Sequence, residues 1–199
     1  MPLEQRLCRA LWEAGAVTVS PRPVTLKSGR LSHVYVSLRH FLCAPDGLRL
    51  CGDLFGRHLG QRVAAVASAA SLLSPVLAGA FAGRFGLPLL LFRPDDAEKG
   101  LAGQVFGRML PLPVVILDDV LTSGGTALAA ARAYREHGAG EVSLFVFVDK
   151  RPRSRRADFP LPVAAPLALG EVLRFGIEAG HVTGAAVALA GTELEYLER

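Results

Sequence analysis

Short apolar runs alternate with segments of helical period along most of the chain. The runs have the length of β-strands and cover residues 63–67, 88–92, 114–117 and 142–148. Helical patterns lie near residues 46–59, 72–85 and 126–137. Runs without polar alternation are typical of parallel strands that are buried on both faces and joined by helices. The pattern therefore predicts an α/β fold with a central parallel sheet flanked by helices.

The composition favours a single globular unit. The chain has 199 residues, of which 51% are hydrophobic and 20% charged, so it can bury one core and is too apolar to be disordered. No internal repeat with a period of 20 to 50 residues is visible. Residues 3–14 add a predicted amphipathic helix, and residues 33–38 add a predicted strand. We therefore expect one domain over residues 1–199.

The number of cysteines and the composition of the N-terminal segment indicate in which cellular compartment the protein is expected. Cys8, Cys43 and Cys51 are odd in number and form no C-x-x-C pair, so neither a disulfide scaffold nor a zinc or redox motif is expected. The N-terminal segment MPLEQRLCRALWEAG mixes acidic and basic residues and lacks the apolar core of a secretory signal. We expect a reducing, cytoplasmic setting.

One uncharged run is long enough to raise the question of a membrane span. Residues 63–83 carry no charge over 21 positions, a length that can cross a bilayer. The run is rich in Ala, Ser and Gly, contains Pro75, and passes from a strand-like into a helix-like pattern. A buried strand followed by a buried helix explains it, so we expect no membrane association.

The positive charge is concentrated in one place. The formal charge is +4, from 22 basic and 18 acidic residues. Five basic residues fall within residues 150–156, and the rest of the chain has 17 basic residues against 18 acidic ones. A local patch suits a small anion or a solvated loop, whereas a groove that follows a duplex needs phosphate contacts at several places. Nucleic acid is therefore not an expected partner.

A strand that runs into two carboxylates forms the first half of a candidate ligand site. The segment VVILDDVLTSGGT covers residues 114–126, and ligands of parallel sheets bind outside the carboxyl ends of the strands. Asp118 and Asp119 can accept hydrogen bonds from sugar hydroxyls or bind a magnesium ion. They do not suit a phosphate, since like charges repel.

The turn after the carboxylates has the composition of a phosphate-binding loop. Its glycines let the backbone approach a ligand, and its hydroxyls stand beside the free N–H groups of a helix N-terminus. Each half of the pattern is also common in ordinary loops, but together they indicate a phosphorylated ribose. The segment contains neither G-x-x-x-x-G-K-[ST] nor G-x-G-x-x-G, which disfavours a nucleoside triphosphatase or a dinucleotide fold. The residues of the turn are Thr122, Ser123, Gly124, Gly125 and Thr126.

This segment resembles the signature with which type I phosphoribosyltransferases bind phosphoribosyl pyrophosphate (PRPP). Two further segments are similar to the orotate branch of that family. LKSGR at residues 26–30 precedes the predicted strand HVYVSL, and VDKR at residues 148–151 lies where the family has an Asp-Arg pair after a strand. Because the segments follow the family's order over most of residues 20–155, the chain is identified as a divergent member, closest to orotate phosphoribosyltransferase.

The resemblance implies an architecture and a reaction. It implies a small N-terminal hood, formed by about residues 1–40 and part of the C-terminal segment, over the central sheet. It implies the transfer of ribose 5-phosphate from PRPP to orotate, giving orotidine 5′-monophosphate and pyrophosphate in pyrimidine biosynthesis. Mg²⁺ is the implied cofactor, and the implied assembly is a homodimer in which Arg93 reaches the neighbouring site.

The resemblance also implies a role for individual residues. It places the ribose hydroxyls at Asp118 and Asp119, directly or through the metal and water, and the 5′-phosphate at residues 122–126. Lys27 is implied to reach from the hood towards the base and the pyrophosphate. Tyr35 is either an aromatic wall for the base or a core residue. The remaining implied site residues are Lys150 and Arg151 for the base, Arg93 and Lys99 for catalysis, and Ser68 and Ser71 for the pyrophosphate.

Two loops depart from the family pattern. The loop after the first apolar run reads ASAASLL at residues 67–73, without the glycine and lysine expected around pyrophosphate. The later loop reads RPDDAEKG at residues 93–100, where the family has Arg-Lys-x-x-Lys-x-His-Gly. Pro94 and Ala97 replace lysines, and residues 95–96 add negative charge. Each lost charged contact removes roughly 2 to 4 kcal/mol of transition-state stabilisation.

These departures keep two alternatives open. The first is a non-catalytic or regulatory protein that binds PRPP or a nucleotide in the same pocket. The second is a phosphoribosyltransferase that acts on another base. Binding of a monophosphate without turnover would favour the first alternative, whereas release of pyrophosphate from PRPP favours an enzyme.

Overall fold

The computed structural model describes residues 1–26, 29–59, 63–94, 105–108 and 111–199. This part of the chain contains seven α-helices. They are α1 (Leu3–Glu13), α2 (Arg39–Cys43), α3 (Pro45–His58), α4 (Ser74–Phe85), α5 (Gly125–Glu136), α6 (Leu169–Glu178) and α7 (Ala185–Glu198).

The same residues contain nine β-strands. They are β1 (Val17–Thr25), β2 (Leu31–Val36), β3 (Ala65–Ser68), β4 (Leu89–Phe92), β5 (Val105–Phe106), β6 (Val114–Leu121), β7 (Val142–Asp149), β8 (Val163–Ala164) and β9 (Leu167–Ala168). A short 3₁₀ helix covers Arg153–Arg155.

The central sheet has the order β5-β4-β3-β6-β7-β8. β9 also pairs with β7, further along that strand, at Val148 and Asp149. All of its pairs are parallel except the antiparallel pair of β4 and β5. β6 lies in the middle, with Val114 opposite Ala65 of β3 on one side and Val142 of β7 on the other. The predicted fold class, a mostly parallel sheet flanked by helices, is confirmed.

The predicted end of the third apolar run is wrong by four residues, and the difference matters for the site. β6 continues to Leu121 because its pairing with β7 continues, with Asp118 opposite Val146 and Leu121 opposite Asp149. Asp118 and Asp119 therefore lie on a hydrogen-bonded strand and not on the loop after it. Regular pairing fixes the backbone that carries both carboxylates.

β1 is a strand that the sequence pattern did not predict. It contains Pro21 and Pro23, which lack the N–H needed for a sheet ladder. The pairing with β2 accommodates them through a register irregularity between Val19 and Val24. β1 and β2 form a separate antiparallel sheet, and α7 packs against both strands. We call the β1–β2 sheet the hood, because it covers one side of the cavity described below.

The uncharged run over residues 63–83 divides into β3 and the greater part of α4, as the sequence predicted. β3 is buried at all four positions. Within the described ranges, the helices are all too short or too polar to cross a membrane.

The core lies on both faces of the central sheet. One face packs aromatic rings against each other, with Phe55 at 5.2 Å from both Phe81 and Phe145, measured between ring centroids. The other face packs the small side chains of α5 against β6 and β7. Tyr134 is the large residue of that second face and is fully buried.

Tyr134 joins α5 to the carboxyl ends of β3 and β4. Its hydroxyl lies 2.8 Å from the Ser68 carbonyl oxygen and 3.3 Å from that of Leu90. Burial raises the pKa of this phenol to about 12, so the group stays a neutral donor. The contact holds β3 and β4 at the edge of the sheet from which the candidate site opens.

We expect Tyr134→Phe to lower the free energy of unfolding by about 1 to 2 kcal/mol, because it leaves buried carbonyl oxygens without their donor. Urea unfolding followed by circular dichroism measures the change. Tyr35→Phe is the matched control, since Tyr35 is 46% exposed and surface changes of this kind stay within about 0.5 kcal/mol. Equal unfolding free energies for the two variants would contradict the assigned role of the Tyr134 hydroxyl.

Candidate active site

A cavity of about 680 Å³ lies between the hood and the carboxyl ends of β3, β6 and β7. This is the edge at which ligands of open α/β sheets bind. Four segments line it: the hood, the β3–α4 loop, the β6–α5 turn, and the segment after β7. Parts of the LKSGR, DDVLTSGGT and VDKR segments thus meet at one cavity.

Asp118 supplies a buried carboxylate at the floor of the cavity. Its Oδ1 accepts hydrogen bonds from the Ser71 hydroxyl at 2.8 Å and from the Asp119 backbone N–H at 3.0 Å. Burial and the neighbouring charge of Asp119 raise the pKa of Asp118 from 3.8 to about 7, while the two hydrogen bonds oppose the shift. The Asp118 carboxylate can therefore accept a hydrogen bond from a ligand hydroxyl, or bind a cation that a ligand brings with it.

The turn between β6 and α5 faces the same cavity. Gly124 adopts a left-handed conformation with φ of 76° and caps α5, and a Cβ at this position would lie 2.5 Å from the Phe159 ring. Both features require glycine. The side chains of Thr122, Ser123 and Thr126 line the cavity, next to the first backbone N–H groups of the helix, which have no partner within it. The geometry is that of an anion cradle.

Arg151 places a fixed guanidinium at the cavity wall. It is 5% exposed, and its Nε and Nη2 donate to the two carboxylate oxygens of Asp149 at 3.0 and 2.9 Å. The guanidinium also lies 4.6 Å from the centre of the Phe159 ring. Across the ranges that the structure describes, its Nη1 has no hydrogen-bond partner. Because Nη1 is itself buried, the guanidinium acts on the cavity through its positive charge.

Lys150 is a second buried cation beside the cavity. It is 9% exposed, and burial lowers the pKa of its amine. The nearby Glu193 carboxylate opposes that shift, whereas the positive charge of Arg30 adds to it. Tyr35, which is half exposed, lines the same end of the cavity.

Several cavity residues carried no role in the sequence analysis. Arg30 belongs to the LKSGR segment and Arg39 follows β2, but neither was assigned a function there. Tyr196 comes from α7. α7 carries no motif, and the position of its residues beside the hood depends on tertiary packing that a local pattern does not reveal.

Ser68 is directed away from the cavity, and Arg93, whose predicted contact is with a neighbouring subunit's site, lies outside the lining of this one. Ser68 is 1% exposed, and its hydroxyl accepts a hydrogen bond from the Phe92 backbone N–H at 3.0 Å. Its side chain is thus directed to β4, which speaks against a contact with pyrophosphate. Arg93 follows β4, and its guanidinium lies 5.6 Å from the Phe106 ring, outside the set of described residues that line the cavity.

Other expectations fall on residues that the structure does not describe. Lys27 and Lys99, both predicted to act in catalysis, lie outside the described ranges. The acidic pair at residues 95–96 and Ala97 lie outside them as well.

The wall formed by the β3–α4 loop is largely apolar. Ala70, Ser71, Leu72 and Leu73 line the cavity, and Leu72 is 70% exposed. Ser71 is the residue of this loop that carries a polar group into the site, through its contact with Asp118. The loop contains neither lysine nor arginine.

The donor set at the floor limits what kind of metal could bind. In the described ranges, no three His, Cys, Asp or Glu side chains come together as a metal site. Two neighbouring carboxylates suit Mg²⁺ when the ligand itself provides further oxygens, since this ion is usually held by one or two carboxylates, water and phosphates.

Known proteins resemble this chain in sequence and in fold. The family model of the phosphoribosyl transferase domain matches residues 112–161. The orotate phosphoribosyltransferase of Lactobacillus johnsonii is 30% identical over 178 residues, which cover 84% of this chain and 82% of that protein. The crystal structure of orotate phosphoribosyltransferase from Aeropyrum pernix has a TM-score of 0.73 at 28% identity, covering 87% of this chain and 98% of that one.

A larger protein contains the same fold. The structure of Leishmania donovani UMP synthase has a TM-score of 0.80 and covers 96% of this chain. This chain spans 42% of the length of that one, and at 23% identity the likeness concerns the fold alone.

We expect Asp118→Asn to stabilise the protein in a pH-dependent way. Because the pKa of Asp118 is raised to about 7, the folded state keeps a proton that the unfolded state loses above about pH 4. Wild-type stability is therefore lost as the pH rises from about 4 to 7 and stays lowered above that. Asparagine carries no charge, so the excess stability of the variant grows over this window, by up to about 4 kcal/mol.

Urea unfolding of the two proteins at pH 4, 5.5, 7 and 8, with EDTA present, measures this difference. Asp158→Asn is the control, because it makes the same change at an exposed acid that lines the same cavity. A difference between wild type and Asp118→Asn that is constant across pH would contradict the raised pKa.

Proposed function

The chain belongs to the orotate phosphoribosyltransferase family, and we propose that its cavity transfers ribose 5-phosphate from PRPP to orotate. The products are orotidine 5′-monophosphate and pyrophosphate. The observation that carries this assignment is the division of one cavity into two ends. One end has an anion cradle beside paired carboxylates, with Arg151 close to it through the Phe159 ring, and the other has the buried amine of Lys150 near Arg30.

The first end suits the phosphorylated ribose. We assign the 5′-phosphate to the turn of residues 122–126, where hydroxyls and helix N–H groups donate. Asp118 and Asp119 then accept hydrogen bonds from the ribose hydroxyls. The hydrogen bond from Ser71 holds the Asp118 carboxylate in place for this contact.

The second end suits a planar, anionic base. We assign the orotate carboxylate and carbonyls to Lys150, because a buried charge seeks a counter-ion, and to Arg151 on the strength of the family resemblance. Tyr35 offers its ring as a wall for the base. The base and the ribose then meet above the carboxylates, with the nitrogen of the base held close to the reacting carbon.

Catalysis in this arrangement depends mainly on position and charge. Bond breaking at the ribose carbon gives a transition state with oxocarbenium character, which the carboxylates at the floor stabilise. The leaving pyrophosphate falls beside the β3–α4 loop, where we assign Ser71 to it; donation to pyrophosphate would replace the hydrogen bond that the Ser71 hydroxyl gives to Asp118. Lys27, Arg93 and Lys99 remain the proposed cations for this group, on the strength of the family resemblance.

We include Mg²⁺ in the proposal as a cofactor that enters with the substrate. Asp118 and Asp119 would hold it, and the ion would neutralise negative charge on the pyrophosphate. The charge of Asp119 contributes to the raised pKa of Asp118, so a cation bound between the two carboxylates would relieve their repulsion.

We further propose a cytoplasmic homodimer. The support for the compartment is that Cys8, Cys43 and Cys51 are all free thiols, as expected in reducing surroundings. The support for the dimer is the family resemblance of the segment that begins at Arg93.

We expect orotate absorbance to fall when PRPP and Mg²⁺ are added to the purified protein. The double variant Asp118→Asn/Asp119→Asn should lose at least about 100-fold in rate, because it removes both negative charges and replaces one acceptor oxygen of each carboxylate with an amide donor. Asp46→Asn is the control, since its side chain is 89% exposed and belongs to α3. Binding of orotidine 5′-monophosphate without turnover would show that the protein is a binding protein and not a transferase. Turnover of a different base would show that orotate is not its substrate.

We expect Thr126→Val to raise the KM for PRPP by about tenfold, because it removes one hydroxyl donor to the phosphate. Thr192→Val is the matched control, as Thr192 is exposed on α7. Initial rates over a range of PRPP concentrations measure both values. An unchanged KM for PRPP in Thr126→Val would contradict the assignment of the 5′-phosphate to this turn.

A further inference from the structure

Glu193 is a buried carboxylate on α7 that faces the hood. It is 4% exposed. Its Oε2 accepts hydrogen bonds from the Arg30 Nη1 and from the Ser32 hydroxyl, each at 2.9 Å, and its Oε1 accepts from the Arg30 Nη2. The contact is thus bidentate, which fixes both the position and the plane of the guanidinium.

The group that Glu193 holds is part of the cavity. Arg30 lines it together with Tyr196 and Lys150, and its guanidinium carbon lies 3.8 Å from the centre of the Tyr196 ring. Glu193 is not among the described residues that line the cavity, so any effect that it has on a ligand passes through Arg30.

The negative charge of Glu193 offsets the repulsion between the two cations Arg30 and Lys150. Arg30 and Lys150 are close enough that the charge of the first lowers the pKa of the second, and burial lowers it further. The Glu193 carboxylate acts in the opposite direction on both groups. It therefore allows two cations to share the base end of the cavity.

We propose that Glu193 is a positioning residue for the base, which holds the Arg30 guanidinium beside Lys150 so that both cations meet the anionic substrate together. The inference rests on the proposed function and extends it, since it makes the hood and α7 part of the recognition of the carboxylate-bearing base. The phosphate end is built from β6 and α5 and does not depend on this contact.

The contacts of Glu193 indicate a role beyond anchoring α7 to the hood. A buried ion pair adds little stability compared with apolar packing of the same volume. Here the pair instead orients a cation at a cavity wall. A purely structural role for Glu193 would affect both substrates alike, whereas the positioning role affects the base alone.

The test compares Glu193→Gln with Glu195→Gln, a matched change at an exposed position on the same helix. Kinetics with each substrate varied in turn give the KM for orotate and for PRPP. Loss of one charged contact at the base should raise the KM for orotate by roughly 10- to 100-fold in Glu193→Gln. The KM for PRPP should change by less than about threefold, since the phosphate turn is untouched.

Arg30→Lys provides a second variant that keeps the positive charge but loses the two-pronged contact. It should raise the KM for orotate in the same way. In the double variant Arg30→Lys/Glu193→Gln the two effects should not add, because both remove one interaction. Should Glu193→Gln fail to fold in urea titrations, Arg30→Lys decides the question.

The outcomes separate this inference from the proposed function. Wild type that turns over orotate, with an unchanged orotate KM in the variants, overturns the positioning role and leaves the transferase intact. Equal increases in KM for both substrates also overturn it, in favour of a structural role. Wild type that turns over no orotate overturns the proposed function itself, and with it the extension made here.

Discussion

The candidate site depends on burying Asp118 within the central strand of a parallel sheet. A charged carboxylate at such a position is costly unless neighbouring groups hydrogen-bond to it. Ser71 and the Asp119 backbone N–H provide those hydrogen bonds, and they come from the loop after β3 and from β6 itself. The register of β3, β6 and β7 is therefore a condition for the site as well as for the fold, because it fixes where this oxygen lies.

Much of this arrangement could be predicted from local patterns, and the rest could not. The DDVLTSGGT segment gave the carboxylates and the turn, since a buried strand followed by glycines and hydroxyls is readable in sequence. Ser68 and Ser71 were not distinguishable by that means: both are serines of one short loop region. The structure separates them, because Ser68 is the last residue of β3 and its hydroxyl is directed to β4, whereas Ser71 lies beyond the strand end.

The contact between Arg30 and Glu193 was beyond local prediction for a different reason. The two residues are 163 positions apart, and the strand that leads to Arg30 contains two prolines that disfavour a strand assignment. Only the packing of α7 on β1 and β2 brings them together. The phosphate end of the cavity is thus encoded in one continuous segment, while the base end is assembled from distant parts of the chain.

That separation has a kinetic consequence. Closing a contact across so long a stretch of chain is slow, because the loss of chain entropy precedes the gain from the contact. The β6–α5 turn, by comparison, forms from neighbouring residues. During folding, the hood and α7 are therefore expected to dock after the sheet has formed. The same unit can undock by local opening while the sheet stays intact. The base end of the cavity can therefore open while the phosphate end stays folded.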